Sequence, residues 1–328
     1  MERETSVRFA LMTEPQQGLS YADLLALAQA AERAGFEAFF RSDHYKSFPG
    51  NAYRPTTDAW ATLAGLARET SRIRLGALVS PVTFRIPGSF AKVAMTVDEM
   101  SGGRVEVGVG AGWNDAEHAS HGIPYPSDRE RVDRLEEELQ ILTGFWDHPD
   151  GWSFEGRHWQ VRDAHLRPRD RSSYARGAEG TRPNLIVGGS GRPRTLRLAA
   201  RYADEYNMSS ATAEETRDAF GRLAGLLREE GRDPSAVTRS AMLGVIVGRT
   251  QAEVRDRTAE LFKAFGQSSG DPEAWLAERQ DRWLVGTPDE VRGRLKPFAE
   301  AGVERVMLQT MIPWDLDHVA VLGEVFLA

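Results

Sequence analysis

Short apolar runs recur along the chain, each followed by a polar or glycine-containing turn and then by a longer stretch with helical spacing. The runs are VRFALM (7–12), FEAFF (36–40), IRLGALV (73–79), VEVGVG (105–110), NLIVGG (184–189), EYNMS (205–209), MLGVIVG (242–248) and RVMLQT (305–310). Their length, β-branched content and near-continuous hydrophobicity predict strands buried on both faces, as in a parallel sheet. Between them lie amphipathic segments. In SYADLLALAQAAERAG, Leu24, Leu27, Ala28, Ala31 and Ala34 share one face and Gly35 supplies the stop. The same reasoning predicts helices over 58–70, 91–103, 131–146, 192–203, 213–231, 252–266, 288–302 and 315–328.

Eight successive strand–helix units predict an α/β fold, a (β/α)8 TIM barrel, because parallel neighbours need right-handed helical crossovers. A doubly wound open sheet is the other arrangement open to these elements. A single domain over 1–328 is expected, with insertions after strands four and seven. The first, 147–183, contains GWSFEGRHWQV, which reads as a hairpin, and then an Arg- and Ser-rich stretch that reads as a mobile loop. The second, 267–287, reads as a polar insertion late in the barrel.

With 41% hydrophobic residues among 328, the chain can bury a large core. Lys plus Arg number 41 against 48 Asp plus Glu, a net charge of −7, so the surface offers no general attraction to nucleic acid or anionic lipid. Any anion site must be local. Cysteine is absent, which excludes disulfides, thiolate metal sites and a cysteine nucleophile. The opening MERETSVRF lacks a basic-then-apolar signal pattern, and no apolar run approaches the roughly 18 residues a bilayer span requires. A cytosolic protein is expected, acting on a small molecule without nucleic-acid or membrane partners.

In a parallel barrel the active site is built by the loops that leave the C-terminal ends of the strands. Those positions hold Thr13 and Glu14; Ser42, Asp43 and His44; Ser80, Pro81 and Thr83; Ala111, Gly112, Trp113 and Asn114; and Ser190 and Gly191. Asp43 beside His44 suggests a carboxylate that fixes an imidazole tautomer for proton transfer, although the same pair would also suit a solvated turn. GGSG (188–191) ahead of a helix suggests an anion cradle of backbone N–H groups and the Ser190 hydroxyl, or a tight turn that uses glycine only for its freedom. The usual barrel phosphate site follows strands seven and eight, whereas this one follows strand five.

GVGAGWN (108–114) lacks the G-x-G-x-x-G spacing of a dinucleotide site but could approach a flat ring closely, with Trp113 over it. EHASH (117–121) lacks the H-E-x-x-H order, so no metal site is expected. No G-x-S-x-G elbow marks a serine hydrolase.

SDH (42–44), IRLGALVSPVTFRIP (73–87), DEMSGGRVEVGVGAGW (98–113), GIPYP (122–126) and GGSGRPRTLRLAARYADEYN (188–207) occur together and in order. With them the chain resembles, essentially end to end, the bacterial luciferase-like superfamily, and within it the oxidoreductases that use the deazaflavin coenzyme F420. The resemblance implies a barrel, usually a homodimer, with the cofactor ring across the C-terminal mouth. Asp43 and His44 would then lie near the ring, with His44 handling the proton that accompanies hydride transfer. A non-proline cis peptide in the third strand, here Leu78–Val79, would form a bulge behind the ring, next to Ser80. Ala111, Gly112, Trp113 and Asn114 would flank the ring or its ribityl chain, and Gly188, Gly189, Ser190 and Gly191 would hold the phosphate.

A polyglutamyl tail would run over Arg192, Arg194 and the arginines of 167–182. Glu14, Tyr45, Phe48, Tyr53 and Phe84 would contribute to a substrate pocket. Sugar-phosphate dehydrogenases of the superfamily commonly carry a glutamate where Gly112 or Trp113 stands, which argues against that substrate. The same resemblance leaves open an FMN-dependent monooxygenase using reduced flavin and O2, and a non-catalytic flavin-binding protein.

Overall fold

The computed structural model describes residues 7–167 and 181–327. Eight parallel strands close on themselves: β1 (Arg8–Thr13), β2 (Ala38–Arg41), β3 (Arg74–Pro81), β4 (Val105–Gly110), β7 (Asn184–Gly189), β8 (Glu205–Ser209), β9 (Thr238–Val247) and β11 (Arg305–Thr310), with β11 pairing back to β1. The open-sheet alternative is thereby excluded. Between β4 and β7 the chain adds the antiparallel hairpin β5 (Trp152–Glu155) and β6 (Gln160–Ala164), where the sequence predicts it. The stretch read as a mobile loop lies mostly outside the described residues.

The late insertion differs from expectation. It holds a short helix (Pro272–Ala277) and a strand, β10 (Trp283–Gly286), that pairs in parallel with the far end of β9. Strand β9 begins four residues before the predicted run, because Thr238–Ala241 are needed to pair β8. It then reaches β11 through Ser240–Val245 and β10 through Gly244–Val247.

The helices around the barrel have sequence-encoded ends. Helix α1 (Tyr21–Ala34) starts with a capping box between Ser20 and Asp23 and stops at left-handed Gly35. Helix α3 (Pro87–Ser101) begins at a proline, earlier than its apolar periodicity indicates. Helices α4 (Asp115–Ser120), α5 (Asp128–Asp147) and α6 (Pro193–Tyr202) lie near the mouth, and α2 (Ala59–Glu69) follows the loop carrying His44.

Strand alternation sorts the side chains into two cores. Phe9, Leu11, Phe39, Leu75 and Val107 face the helices, whereas Ala10, Met12, Phe40, Ile186 and Met307 fill the barrel. At the N-terminal end the interior is closed by charge. The Arg305 guanidinium donates to Glu106 at 2.7 and 3.0 Å and to Glu205 at 2.9 Å, all three buried. Burial disfavours ionisation of Glu106, but Arg305 and Arg74 hold its carboxyl far below the ordinary value. Burial pushes Glu205 up, with Arg305 opposing and Glu106 adding to the rise. This plug leaves the other end of the barrel as the one that opens.

Candidate active site

A cleft of about 800 Å³ opens at the C-terminal end of the strands, and residues after β1, β2, β3, β4 and β7 converge on it. Of the residues expected there, Glu14, His44, Phe48, Leu78, Val79, Ala111, Gly112, Trp113, Gly188, Gly189 and Ser190 line the cleft.

The partner of His44 is not its neighbour. Glu117 of α4, 73 positions away, meets His44 Nδ1 at 3.0 Å through one carboxylate oxygen and at 3.1 Å through the other, and accepts from the Tyr45 backbone N–H at 3.0 Å. Glu117 is buried and His44 largely so. A carboxylate on Nδ1 fixes that nitrogen as the N–H and presents Nε2 to the cleft, ready to accept or return a proton. The ring is boxed by Phe48, edge-on at 4.6 Å, and Trp113 at 5.7 Å.

Asp43 faces away. Its carboxylate accepts from the Ser80 hydroxyl at 2.8 Å and from Arg85 at 2.5 Å, while Trp60 Nε1 donates to Ser80 at 2.9 Å. Arg85 also donates to Asp58 at 2.6 Å, and the Tyr45 hydroxyl donates to Asp58 at 2.8 Å. Burial opposes ionisation of Asp58, yet the Arg85 charge holds its carboxyl below the ordinary range. The expected Asp43–His44 pair is therefore corrected: Asp43 and Ser80 fasten the loop from behind, and Glu117 serves the imidazole. Tyr45 stacks on Phe84 at 4.4 Å behind the same loop, so neither lines the cleft, and Tyr53 lies exposed on the surface.

EHASH, considered in the sequence only for metal, thus supplies the carboxylate of the dyad. Its next residue, His118, is buried between the Thr83 hydroxyl at 2.6 Å and the Asn114 carbonyl at 2.7 Å. Asn114 gives its backbone to that contact and stands outside the cleft wall.

The Leu78–Val79 peptide is cis, and the β3–β4 register shifts between Ala77 and Ser80. The glycines opposite make room for this bulge. A Cβ on Gly110 would come 2.7 Å from Val79 Cγ2, one on Gly188 would come 2.8 Å from Val79 Cγ1, and one on Gly108 would come 2.3 Å from the Ala77 carbonyl oxygen. Gly108, Gly110 and Gly188 are therefore explained first by close packing around the β3 bulge, and Gly110 and Gly188 line the cleft beside Val79 without side chains of their own.

Beyond Gly189, the exposed Ser190 precedes α6, whose N-cap residue Arg192 makes no side-chain cap bond. Ser190, Arg192 and Thr195 gather at this end, with buried Arg131 of α5 opposite. Gly191 lies behind, at φ 76°, its N–H donating to the Tyr206 hydroxyl at 2.8 Å. A hydroxyl, an arginine and the N-terminus of a ten-residue helix suit a phosphate. The wall without side chains at Gly110, Gly188 and Gly189 leaves room for a planar group beside that end, so these residues fit a phosphorylated ring cofactor.

At the floor, Glu14 accepts from Gln16 Nε2 at 2.6 Å and from Gln309 Nε2 at 2.5 Å, and the Ser42 hydroxyl donates to Gln16 at 2.6 Å. Gln309 is the last residue but one of β11 and continues the inward alternation of Arg305 and Met307. Extending the end-of-strand rule to the eighth strand would have found it. Nothing in the sequence marks Arg131 or Thr195, which arrive from helices.

A family model described as luciferase-like monooxygenase matches residues 1–305. The chain belongs to this luciferase-like family. It is 26% identical to the FMNH(2)-dependent dimethylsulfone monooxygenase of Pseudomonas putida over 309 residues, covering 86% of this chain and 80% of that one. It is 29% identical to the F420-dependent hydroxymycolic acid dehydrogenase of Mycobacterium tuberculosis over 293 residues, covering 85% and 76%. Among solved structures, an F420-dependent secondary alcohol dehydrogenase in complex with an F420–acetone adduct matches with a TM-score of 0.79 at 20% identity over 98% of each chain. The luciferase-like relatives thus include both F420-dependent and FMN-dependent enzymes, which supports a deazaflavin or flavin cofactor. Among the described residues no helix is long and apolar enough to cross a membrane.

Proposed function

We propose that the protein is an F420-dependent oxidoreductase that moves a hydride between a deazaflavin and a small organic substrate. The observation that favours the deazaflavin is the open phosphate end of the cleft. Past Ser190 it shares Asp128, Val132, Arg192 and Thr195 with a second depression of about 680 Å³ between the first turns of α5 and α6. FMN ends at its phosphate, whereas F420 continues into a polyglutamyl tail that requires such a groove.

When bound, the cofactor supplies two-electron hydride chemistry at its ring. The protein does the rest. Val79 and the glycines opposite it set the plane of the ring wall, while Ser190, Arg192 and the α6 N-terminus hold the phosphate. His44 Nε2, fixed through Nδ1 by Glu117, takes or returns the proton that accompanies the hydride. Phe48 and Trp113 keep water from that edge.

An FMN-dependent monooxygenase is the second reading, and the groove's own charges favour it. Arg192 lies 3.6 Å from Asp128 and Arg194 2.5 Å from Asp133, so a polyanionic tail meets arginines already matched by aspartates. Parallel fluorescence titrations with oxidised F420 and with FMN separate the two. Saturable binding of F420 at concentrations where FMN does not bind is the expected result. Preference for FMN transfers the protein to the monooxygenase reading, and binding of neither overturns both.

A further inference from the structure

The buried carboxylates around the cleft differ in what neutralises them. Asp43 faces Arg85, Glu106 faces Arg305 and Glu117 faces His44. Glu14, 7% exposed at the cleft floor, has no such partner among the described residues: it accepts from the carboxamides of Gln16 at 2.6 Å and Gln309 at 2.5 Å, both uncharged. Arg41, whose charge Glu14 also feels, commits its guanidinium to Thr57, Thr62 and the Ser42 carbonyl. A carboxylate accepts about four hydrogen bonds, so two places on Glu14 stay open. Gln17, on the same turn and also 7% exposed, lines the cleft with its Oε1 unpartnered among the described residues. The walls nearby offer no polar hydrogen: Met12, Phe48, Met242, Phe265 and Met311. Aromatic faces and thioether sulfurs tolerate a cation that hydrocarbon alone would not.

We infer that the substrate carries a primary ammonium group that docks on Glu14, with Gln16 and Gln309 as positioning residues that aim the carboxylate. An ammonium supplies several N–H donors where a hydroxyl supplies one, so it can fill the open places on Glu14 and reach Gln17 as well. It also brings the positive charge that this buried carboxylate lacks, which offsets the cost of taking both ions out of water. A carboxylate or phosphate would set like charge against Glu14. The docked ammonium keeps its protons and is an anchor, not the reacting group, so the proton that accompanies the hydride still passes through His44 Nε2. This names the substrate class for the oxidoreductase proposed above and rests on that reading for the reaction, though not for the binding.

Calorimetric titration of the full chain, with and without whichever of F420 or FMN binds, compares three probes of one shape: 4-phenylbutylammonium, 4-phenylbutan-1-ol and 4-phenylbutanoate. The ammonium should bind about tenfold or more tightly than the alcohol, and the carboxylate about tenfold or more weakly than the alcohol. The order should survive about 0.5 M salt, which screens the general pull of an acidic surface on cations but not a buried pair. Glu14→Gln, whose side chain fills the same space, should bring the ammonium down to the alcohol and lift the penalty on the carboxylate. An alcohol that binds as tightly as the ammonium, a preference lost in high salt, or one unchanged in Glu14→Gln overturns the inference. Should Glu14→Gln fail to fold, the wild-type order in high salt decides. Titrations of the same preparations with F420 and FMN report on the cofactor separately: ammonium preference without ring binding would end the oxidoreductase reading and leave this one standing, and ring binding without the preference would do the reverse.

Discussion

At the scale of single residues, the account turns on one hydrogen bond that no local reading of the chain contains. His44 is legible because it follows a strand and resembles a known motif, but its carboxylate partner lies on α4 and is brought close only by the loops of the barrel mouth. Asp43, the obvious neighbour, is drawn away by Arg85 and Ser80, whose pull on a buried carboxylate exceeds anything an adjacent imidazole offers. His44→Ala should lower turnover by about 100-fold or more while changing cofactor affinity little. Glu117→Gln should lower turnover by about tenfold or more, since an amide can hold the ring but not stabilise its charge. Steady-state rates beside cofactor titrations check both, and a parallel loss of affinity and turnover in His44→Ala would contradict the role.

At the scale of elements, the bulge of β3 and the glycines of β4 and β7 form one unit. The glycine-rich strings are plain in the sequence, but their cause is not: they read as phosphate and ring contacts, and the distances show them first clearing space for Val79. Gly188→Ala should therefore cost about 1–3 kcal/mol through overpacking and weaken cofactor binding. Adding Val79→Ala should restore part of both, as a double-mutant cycle in denaturant and in cofactor titration would show. Strand β10 escaped prediction because WLVG is four residues long inside a polar insertion. Its Trp283 ring packs so closely over Gly244 that a Cβ there would lie 2.5 Å away.

Helix α5 carries a different liability. Glu138 is buried with no partner for its Oε2 among the described residues, and burial pushes its carboxyl up to about 8 despite the opposing charge of Arg85. The folded state thus binds more protons than the unfolded one between pH 4.5, the ordinary value, and about 8. Stability contributed by the neutral acid is complete below that window and falls as pH rises through it, by up to about 1.4 kcal/mol per pH unit. Glu138→Gln should flatten this limb and raise the urea midpoint at the alkaline end, and an unchanged pH profile would contradict the assignment.

At the scale of the whole molecule, most of the architecture was legible, because eight buried strands separated by amphipathic helices have few closed solutions. The charge plug was not, since Glu106, Glu205 and Arg305 stand on three strands and share a layer only once the barrel closes. Arg305→Met should cost about 3–5 kcal/mol in urea unfolding by leaving Glu205 buried without its cation and Glu106 with Arg74 alone. Replacing both glutamates with Gln in the same chain should recover much of that loss. The plug lies at the end opposite the cleft, so cofactor affinity at temperatures where the variant stays folded should be unaffected.

The whole account requires one orientation of one ligand: ring against Val79, phosphate at Ser190, redox edge toward His44. A crystal structure of the protein with whichever of F420 or FMN saturates it tests this directly. The account predicts the phosphate within hydrogen-bond reach of Ser190 and the α6 N-terminus, and the central ring's reactive edge facing His44 Nε2. A ring bound elsewhere, or reversed so that its phosphate lies beside His44 and Glu117, would contradict it.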